Sequence, residues 1–151
     1  VAEKAKKRME LAKKLGAGEV LNPDEVDICS KILEVTDNRG CDVVFECVGV
    51  PGTILSAIGT VRNAGKIVIE GIFDEDVETR FLDIVLNEIG IKGVFAYDYH
   101  DFGHAVELIR KKSVDVNSLI TDIISLNDIA EKGFEALIKP EKESVKILVS
   151  P

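Results

Sequence analysis

The amino-acid sequence predicts an α/β fold built on a doubly wound parallel sheet. Segments with apolar residues at helical spacing alternate with short apolar runs that are rich in valine and isoleucine, and the connections between them are short. Continuous apolar runs are typical of strands that are buried on both faces. A regular alternation of helix and strand favours parallel strands joined by right-handed crossovers, with helices on both faces of the sheet.

The first half of the chain alternates regularly. Ala5, Met9 and Ala12 recur at helical spacing, and Gly16 ends that run as a C-terminal cap does. Pro23 closes the short strand that follows, and the stretches 37–40 and 62–65 have the composition of turns. The predicted elements are a helix over 4–15, a strand over 19–22, a helix over 24–35, a strand over 41–49, a helix over 54–61 and a strand over 66–73.

The second half continues less regularly. The predicted elements are a short helix over 82–90, a strand over 91–97, a helix over 101–112, a short strand within 118–126, a helix over 127–138 that begins at Asn127 or Asp128, and a last strand over 144–150. No internal repeat and no long linker interrupts this order. A chain of 151 residues is long enough to bury a proper core, so the pattern indicates one domain.

Composition and charge exclude several classes of protein. Hydrophobic residues make up 46% of the chain and charged residues 30%, as is typical of soluble globular proteins. The net charge of −8 gives no support to nucleic-acid binding. No apolar run approaches the roughly 20 residues that cross a bilayer. The lysine-rich start lacks the apolar core of a signal peptide, so no membrane partner is expected.

The three cysteines indicate a reducing compartment. Cys29, Cys41 and Cys47 are odd in number, and their spacing matches no C-x-x-C zinc pattern. They are interpreted as small core residues, and the chain is expected to be cytoplasmic.

Two glycines that follow buried strands are candidate binding residues. The run 43–45 stops on Glu46 and Cys47 before Gly49, and Gly71 follows the next predicted strand. Ligands of open parallel sheets bind beyond the carboxyl ends of the strands, where a glycine lets a flat ligand approach the backbone. Tight turns alone would explain the same two glycines, so both interpretations stay open.

Glu3 is a third candidate at this edge of the sheet. It follows Val1 and Ala2, which have the character of a strand end, and it precedes a helix. A carboxylate in that place accepts hydrogen bonds from the adenosine ribose of a dinucleotide. It would also stabilise a helix N-terminus without any ligand. The Gly-x-Gly of 16–21 follows a helix and precedes a strand, the reverse of a phosphate-binding loop, and is interpreted as a cap and a turn.

The motifs "AKKLGA", "DVVFECVG" and "LIT", with a glycine-ended strand between the last two, occur in an order and spacing that identify a family. Nearly the whole chain resembles the coenzyme half of medium-chain, zinc-type alcohol dehydrogenases, and most of all their polyol branch of sorbitol, butanediol and threonine dehydrogenases. The resemblance implies a Rossmann-like doubly wound sheet that lacks its first strand and Gly-rich loop here. Residues 1–151 would then be a partial dinucleotide-binding domain, with the catalytic zinc domain absent.

The resemblance also implies which residues hold the cofactor. Glu3 would accept from the adenosine ribose and Arg8 would flank the adenine. The remaining implied contacts are Cys47, Val48 and Gly49 at the nicotinamide ribose, Glu70, Gly71 and Ile72 at the carboxamide, Val94, Phe95 and Ala96 in the same pocket, and Lys146 at the pyrophosphate. An acidic Glu3 would repel a 2′-phosphate, so NAD is expected over NADP, although Lys4 beside it weakens that preference.

For the full-length protein, the resemblance implies an oxidoreductase that transfers hydride between a secondary alcohol or polyol and NAD. Zinc is implied as the Lewis acid, held by residues upstream of Val1. The chain itself is therefore expected to contribute no catalytic residue and no metal ligand, and to be inactive alone. A zinc-free quinone-reductase-like enzyme and a non-enzymatic nucleotide-sensing or assembly module remain as alternatives.

Two departures from the polyol pattern bear on the substrate. Ala96 stands where that group usually has an arginine near the substrate, so a sorbitol-like substrate is not favoured. Asp122 follows the threonine of "LIT" where the family usually has a histidine. His100 and His104 are four residues apart, but no third ligand accompanies them, so they are interpreted as a solvated helix face.

Two further expectations concern association and affinity. The strand over 91–97 would expose an apolar edge, and the resemblance implies that this region pairs across a two-fold axis, so a homodimer through strand 91–97 is expected. Without the first strand and its loop, the chain alone is expected to bind NAD more weakly than millimolar, a standard free energy of about −4 kcal/mol or less favourable.

Overall fold

The computed structural model describes residues 1–138 and 144–151, and it confirms an α/β architecture with parallel sheets. The chain divides into two compact units, Val1–Glu25 with Tyr97–Pro151, and Val26–Ala96. The described helices and strands are α1 (Lys6–Lys14), α2 (Ile28–Val35), β1 (Cys41–Glu46), α3 (Pro51–Thr60), β2 (Val61–Ile69), α4 (Phe81–Leu86), β3 (Gly90–Gly93), α5 (Tyr99–Arg110), β4 (Ile120–Ser125), α6 (Glu135–Ile138) and β5 (Lys146–Ser150).

The unit Val26–Ala96 is built on a three-stranded parallel sheet in the order β1-β2-β3. Helix α3 packs against β1 and β2, and its own start is favoured by Pro51, whose ring fixes the backbone at the first helical position. Ile67 of β2 is completely buried and forms the core with Ile54 and Ala57 of α3. The core therefore lies on the α3 face of the sheet.

The other face of β1 is not buried as the sequence predicts. Side chains alternate between the two faces of a strand, and those of Val43 and Phe45 are on the face opposite α3. Phe45 is 66% exposed. The expectation of a strand buried on both faces is wrong for these two residues, because a continuous apolar run cannot show which face the helices cover.

The first and last residues of β2 and β3 also differ from those predicted. The stretch 62–65 does not form a separate turn; it lies within β2 as an irregularity, where Cys41 pairs with Val61 but Val43 pairs with Lys66. Strand β3 covers Gly90–Gly93 rather than 91–97. The N–H of Val94 still donates to the carbonyl of Ile69 at 2.9 Å, but Ala96 has a φ of 53° and turns the chain away from the sheet.

The unit formed by Val1–Glu25 and Tyr97–Pro151 contains a second parallel pair, β4 and β5. In place of a strand over 19–22, Leu21 forms one parallel bridge with Ala2. Helix α5 starts at Tyr99, two residues before the predicted start, because Asp98 and Asp101 form a reciprocal capping box.

The predicted helix over 127–138 is not one regular helix. The segment forms a 3₁₀ turn (Leu126–Asp128), a π turn (Ile129–Phe134) and then α6. Gly133 lies in the π turn, where a Cβ would lie 3.4 Å from the side chains of Ile124 and Ile129. The π turn, which is wider than an α-helical turn, therefore packs closely on β4 at Gly133.

Among residues 1–138 and 144–151, no helix is both long and apolar enough to cross a membrane.

Candidate functional site

Three exposed apolar side chains mark the carboxyl edge of the three-stranded sheet. Val48 follows β1, Ile72 follows β2 and Phe95 follows β3, and their side chains are 64%, 73% and 87% exposed. Because the strands are parallel, their carboxyl ends meet at one edge of the sheet. This edge, which we call the rim, consists of residues 46–49, 70–72 and 94–96. It contains every residue of this unit that the sequence predicts to bind the cofactor.

Glu46 organises the first rim segment with its side chain. The residue is only 3% exposed. Its Oε1 accepts hydrogen bonds from the backbone N–H groups of Val48 and Gly49, each at 2.9 Å, and from the hydroxyl of Thr53 at 2.7 Å. The carboxylate thereby satisfies the backbone donors of the turn between β1 and α3. This is why a buried strand ends on a glutamate here.

The electrostatics of Glu46 follow from these contacts. Burial raises the pKa of its carboxyl, but the hydrogen bonds from Thr53, Gly49 and Val48 outweigh burial and hold the pKa below its usual range. The second oxygen, Oε2, is buried and has no hydrogen-bond partner among the described residues. The side chain is therefore an ionised carboxylate with one satisfied and one unsatisfied oxygen.

The second rim segment is attached to the main chain of the same glutamate. The carbonyl oxygen of Glu46 accepts from the N–H groups of Glu70 and Gly71, at 2.8 Å and 3.0 Å. Glu46 therefore binds both segments: its side chain holds residues 48 and 49, and its carbonyl holds residues 70 and 71.

Gly49 and Gly71 are required by the contact between these two segments. Gly49 has a φ of 82°, and a Cβ there would lie 2.6 Å from the carbonyl carbon of Ile72. A Cβ on Gly71 would lie 2.8 Å from the Cα of Gly49 and closer still to its nitrogen. Backbone meets backbone at this point, so only glycine fits. Protein packing thus accounts for both glycines, while approach of a ligand stays a prediction.

Cys47 is on the surface of the rim rather than in the core, so the interpretation of it as a core cysteine is wrong. Cys47 comes directly after Glu46, the buried last residue of β1, and its own side chain is exposed. The thiol donates to Oε2 of Glu70 at 3.5 Å. Burial raises the pKa of the Cys47 thiol, and the hydrogen bond to Glu70 and nearby carboxylates raise it further. The thiol stays protonated and is a poor nucleophile.

In the other unit, Glu3 and Arg8 form a bidentate ion pair. The guanidinium donates to Oε1 at 2.7 Å and to Oε2 at 2.8 Å. Oε1 also accepts from the N–H groups of Lys4 and Ala5, each at 2.8 Å. The hydrogen bond from Arg8 is the main reason that the pKa of Glu3 lies below its usual value, although burial opposes it. Among the described residues, Oε2 accepts from Arg8 alone, and a carboxylate oxygen can accept a further donor such as a ribose hydroxyl.

The remaining candidates are placed as follows. Lys146 is the first residue of β5, and its carbonyl accepts from the hydroxyl of Thr121 at 3.0 Å. His100 and His104 are exposed on α5. Among residues 1–138 and 144–151, no three His, Cys, Asp or Glu side chains are grouped closely enough to hold a metal ion. The described residues do not fit a zinc ion.

Comparison with known proteins decides the family. The sequence model of the zinc-binding dehydrogenases matches residues 1–111. The chain belongs to the zinc-binding dehydrogenase family. Its similarity to an (R,R)-butanediol dehydrogenase of Bacillus subtilis (strain 168) is 37% identity over 150 residues, which are 99% of this chain and 42% of that protein.

Solved structures agree with this assignment. The crystal structure of 2R,3R-butanediol dehydrogenase from Bacillus subtilis matches with a TM-score of 0.88 and 38% identity, over 99% of this chain and 42% of that one. A zinc-binding dehydrogenase from Sinorhizobium meliloti 1021, described as bound to NADP, matches with a TM-score of 0.87 and 26% identity, over 99% of this chain and 44% of that one. The chain thus spans less than half the length of these relatives.

Two residues that hold the rim together are not marked by the sequence motifs. The sequence shows Glu46 only as an unusual end to an apolar strand, and no motif marks Thr53. The available signal was a carboxylate at the end of an apolar run with a threonine seven residues later, on the first turn of a helix. Such a pair predicts a side chain that caps the turn between strand and helix.

Proposed function

We propose that this chain is part of the dinucleotide-binding domain of an NAD-dependent alcohol or polyol dehydrogenase. The full-length protein would transfer hydride between a secondary alcohol and the nicotinamide ring, which is the chemistry that the cofactor supplies when bound. The chain's own residues would bind and orient the cofactor. We assign no proton transfer and no covalent step to them.

The observation that carries this proposal is the rim. Val48, Ile72 and Phe95 are large apolar side chains that remain exposed at the ends of three parallel strands. Exposed apolar groups in such a cluster indicate a surface that a ligand covers. A nicotinamide ring is flat and mostly apolar, and backbone carbonyls of residues 47–49 and 70–72 could accept from its ribose hydroxyls and its carboxamide nitrogen, since the amides of 48, 49, 70 and 71 donate to Glu46. Val94 and Ala96 would complete this pocket. The residues that would contact the cofactor through their backbone are Cys47, Gly49, Glu70 and Gly71.

For the adenosine end, we propose that Glu3 and Arg8 are the contacts, with Lys146 at the pyrophosphate. The free acceptor site on Glu3 Oε2 suits one ribose hydroxyl. The negative charge of Glu3 supports NAD over NADP. Arg8 donates to both oxygens of Glu3, and this pairing offsets its positive charge toward a 2′-phosphate. The Sinorhizobium meliloti relative is described as bound to NADP, so the titration below includes both cofactors.

Zinc enters this proposal only through family membership. Among residues 1–138 and 144–151 no metal site is formed, and we propose that the ion is held by other residues of the full-length protein. A zinc-free quinone-reductase-like enzyme would share this half. Loss of activity on treatment with a chelator would favour the zinc enzyme, and full retention would favour the alternative. A nucleotide-sensing module would bind the cofactor but oxidise no alcohol.

We also propose a homodimer in which the outer edge of β3, which overlaps the start of the predicted strand 91–97, pairs with a second copy. All four residues of β3 are exposed. Since the N–H of Val94 points to β2, that of Gly93 points to the opposite edge.

A cytoplasmic location fits Cys29, Cys41 and Cys47, which are all free thiols.

The proposal is tested by titrating the full-length protein with NADH and NADPH and following the fluorescence of the cofactor. Phe95→Ala is expected to weaken binding by about twofold to tenfold, since an aromatic contact contributes about 0.5–1.5 kcal/mol beyond its area. Phe81→Ala is the matched control, because Phe81 is also largely exposed but lies on α4 and not on the rim. Wild-type protein that binds neither cofactor, or equal effects of the two substitutions, would contradict the proposal.

A further inference from the structure

Glu46 contacts both rim segments but is not among the residues proposed to bind the cofactor. Its side chain accepts from the N–H groups of Val48 and Gly49, and its carbonyl accepts from those of Glu70 and Gly71. Two pairs of consecutive backbone amides, at 48–49 and at 70–71, therefore donate to this one residue. The distance and the angle between the two segments depend on how this residue is held.

The side chain of Glu46 is itself fixed by Thr53. The hydroxyl of Thr53 lies 2.7 Å from Oε1 of Glu46 and 2.8 Å from the carbonyl of Val50. Thr53 is the third residue of α3, and the same helix packs into the core through Ile54 and Ala57. The carboxylate is therefore tied to a rigid helix, and through it the first rim segment is tied to the same helix.

Resting on the proposed function, we propose that Glu46 is a positioning residue that sets the spacing of the segments 47–49 and 70–72 for the nicotinamide end of the cofactor. It touches no reacting atom, and its buried oxygens are not accessible to a ligand. It acts through the backbone that it holds.

The choice of a carboxylate supports a role beyond closing a turn. A serine or asparagine would cap the same turn without burying a charge, and burying an ionised group with an unpartnered oxygen is unfavourable for stability. An ionised carboxylate accepts from several amides at once and forms stronger hydrogen bonds than a neutral group. It therefore holds both amides of the turn in one orientation before any ligand binds, which lowers the entropic cost of binding.

The experiment compares Glu46→Ala, Glu46→Gln and Thr60→Ala in the full-length protein. Thr60 is the matched control: it is also buried, on the same helix, and its hydroxyl bonds only to carbonyls of that helix. Two quantities are measured, the dissociation constant for NADH and the rate of amide hydrogen exchange in peptides that cover the two rim segments.

Glu46→Ala is expected to weaken NADH binding about tenfold or more and to accelerate exchange at Val48 and Gly49. The amides of Glu70 and Gly71 keep the main-chain carbonyl of residue 46 as their acceptor. Glu46→Gln keeps one acceptor oxygen and is expected to weaken binding about threefold. Thr60→Ala should change neither quantity at the rim. If the alanine variant does not fold, the glutamine variant and Thr53→Val carry the comparison, because each removes only part of the hydrogen-bond set.

The outcomes separate this inference from the proposed function. Unchanged binding in both Glu46 variants, or an equal loss in Thr60→Ala, would overturn the positioning role while leaving the cofactor assignment intact. Wild-type protein without affinity for NADH would overturn the proposed function. In that case the exchange data still decide whether the Glu46 side chain holds the first segment, and slow exchange at 47–49 in the alanine variant would refute it.

Discussion

Replacing Gly49 with alanine is expected to lower the free energy of unfolding by about 2–5 kcal/mol. The left-handed φ of 82° is unfavourable for any residue with a Cβ, by about 1–2 kcal/mol. The new methyl group would also lie 2.6 Å from the carbonyl carbon and 2.8 Å from the nitrogen of Ile72. Because these are backbone atoms of the neighbouring segment, they cannot rotate away as a side chain can, and overpacking of this kind costs about 1–3 kcal/mol.

Urea unfolding of the wild-type protein and of two variants measures this effect. The matched control is Gly52→Ala, the same substitution three residues along the chain. Gly52 has open space around its Cβ position and lies in the first turn of α3. Alanine is the better helix former, so this variant is expected to keep its stability or to gain up to about 1 kcal/mol.

The direction of the difference is the critical result. If the reasoning is right, alanine at 49 destabilises and alanine at 52 does not. A Gly49→Ala protein within about 1 kcal/mol of wild type would show that the two rim segments are not in tight backbone contact, since a contact of that kind has no room for a methyl group. An equal loss in both variants would assign the effect to the turn before α3 as a whole rather than to Ile72.

Three further predictions concern Gly93, Glu3 and Glu46. Gly93→Pro removes an N–H from the outer edge of β3, so sedimentation should show a dimer for the wild type and a monomer for the variant; a variant that stays dimeric would place the interface elsewhere. Glu3→Gln removes the charge that holds Arg8 and opposes a 2′-phosphate, and titration of the full-length protein should show the ratio of NADPH to NADH affinity rise about tenfold, whereas the same change at exposed Glu10 leaves the ratio unchanged. Because the folded pKa of Glu46 is lowered, its ionised form stabilises the fold above the unfolded pKa of about 4.3, and this contribution is lost as pH falls through the lowered pKa. Unfolding measured down to about pH 3 should therefore show a smaller acid loss in Glu46→Gln than in the wild type, and an identical loss would contradict the assigned contacts.

Much of the local structure could be predicted from the sequence because it depends on residues close together in the chain. Helical spacing of apolar residues located α1, α2, α3 and α5, and apolar runs located β1 and β2. Order and spacing of the motifs were enough to identify the family, which the match over residues 1–111 confirms. The rim could also be anticipated, since parallel strands bring their carboxyl ends to one edge whatever their exact register.

The tertiary structure alone decided how the rim is assembled. The sequence left open whether Gly49 and Gly71 serve a turn or a ligand, and the structure shows that each faces the backbone of the other segment. It also left Glu46 without a role, because its partners include amides that are 24 and 25 residues away along the chain. The exposed face of β1 and the short β3 were likewise missed. Which face a strand buries, and which backbone a glycine meets, are set by distant residues, and no local pattern records them.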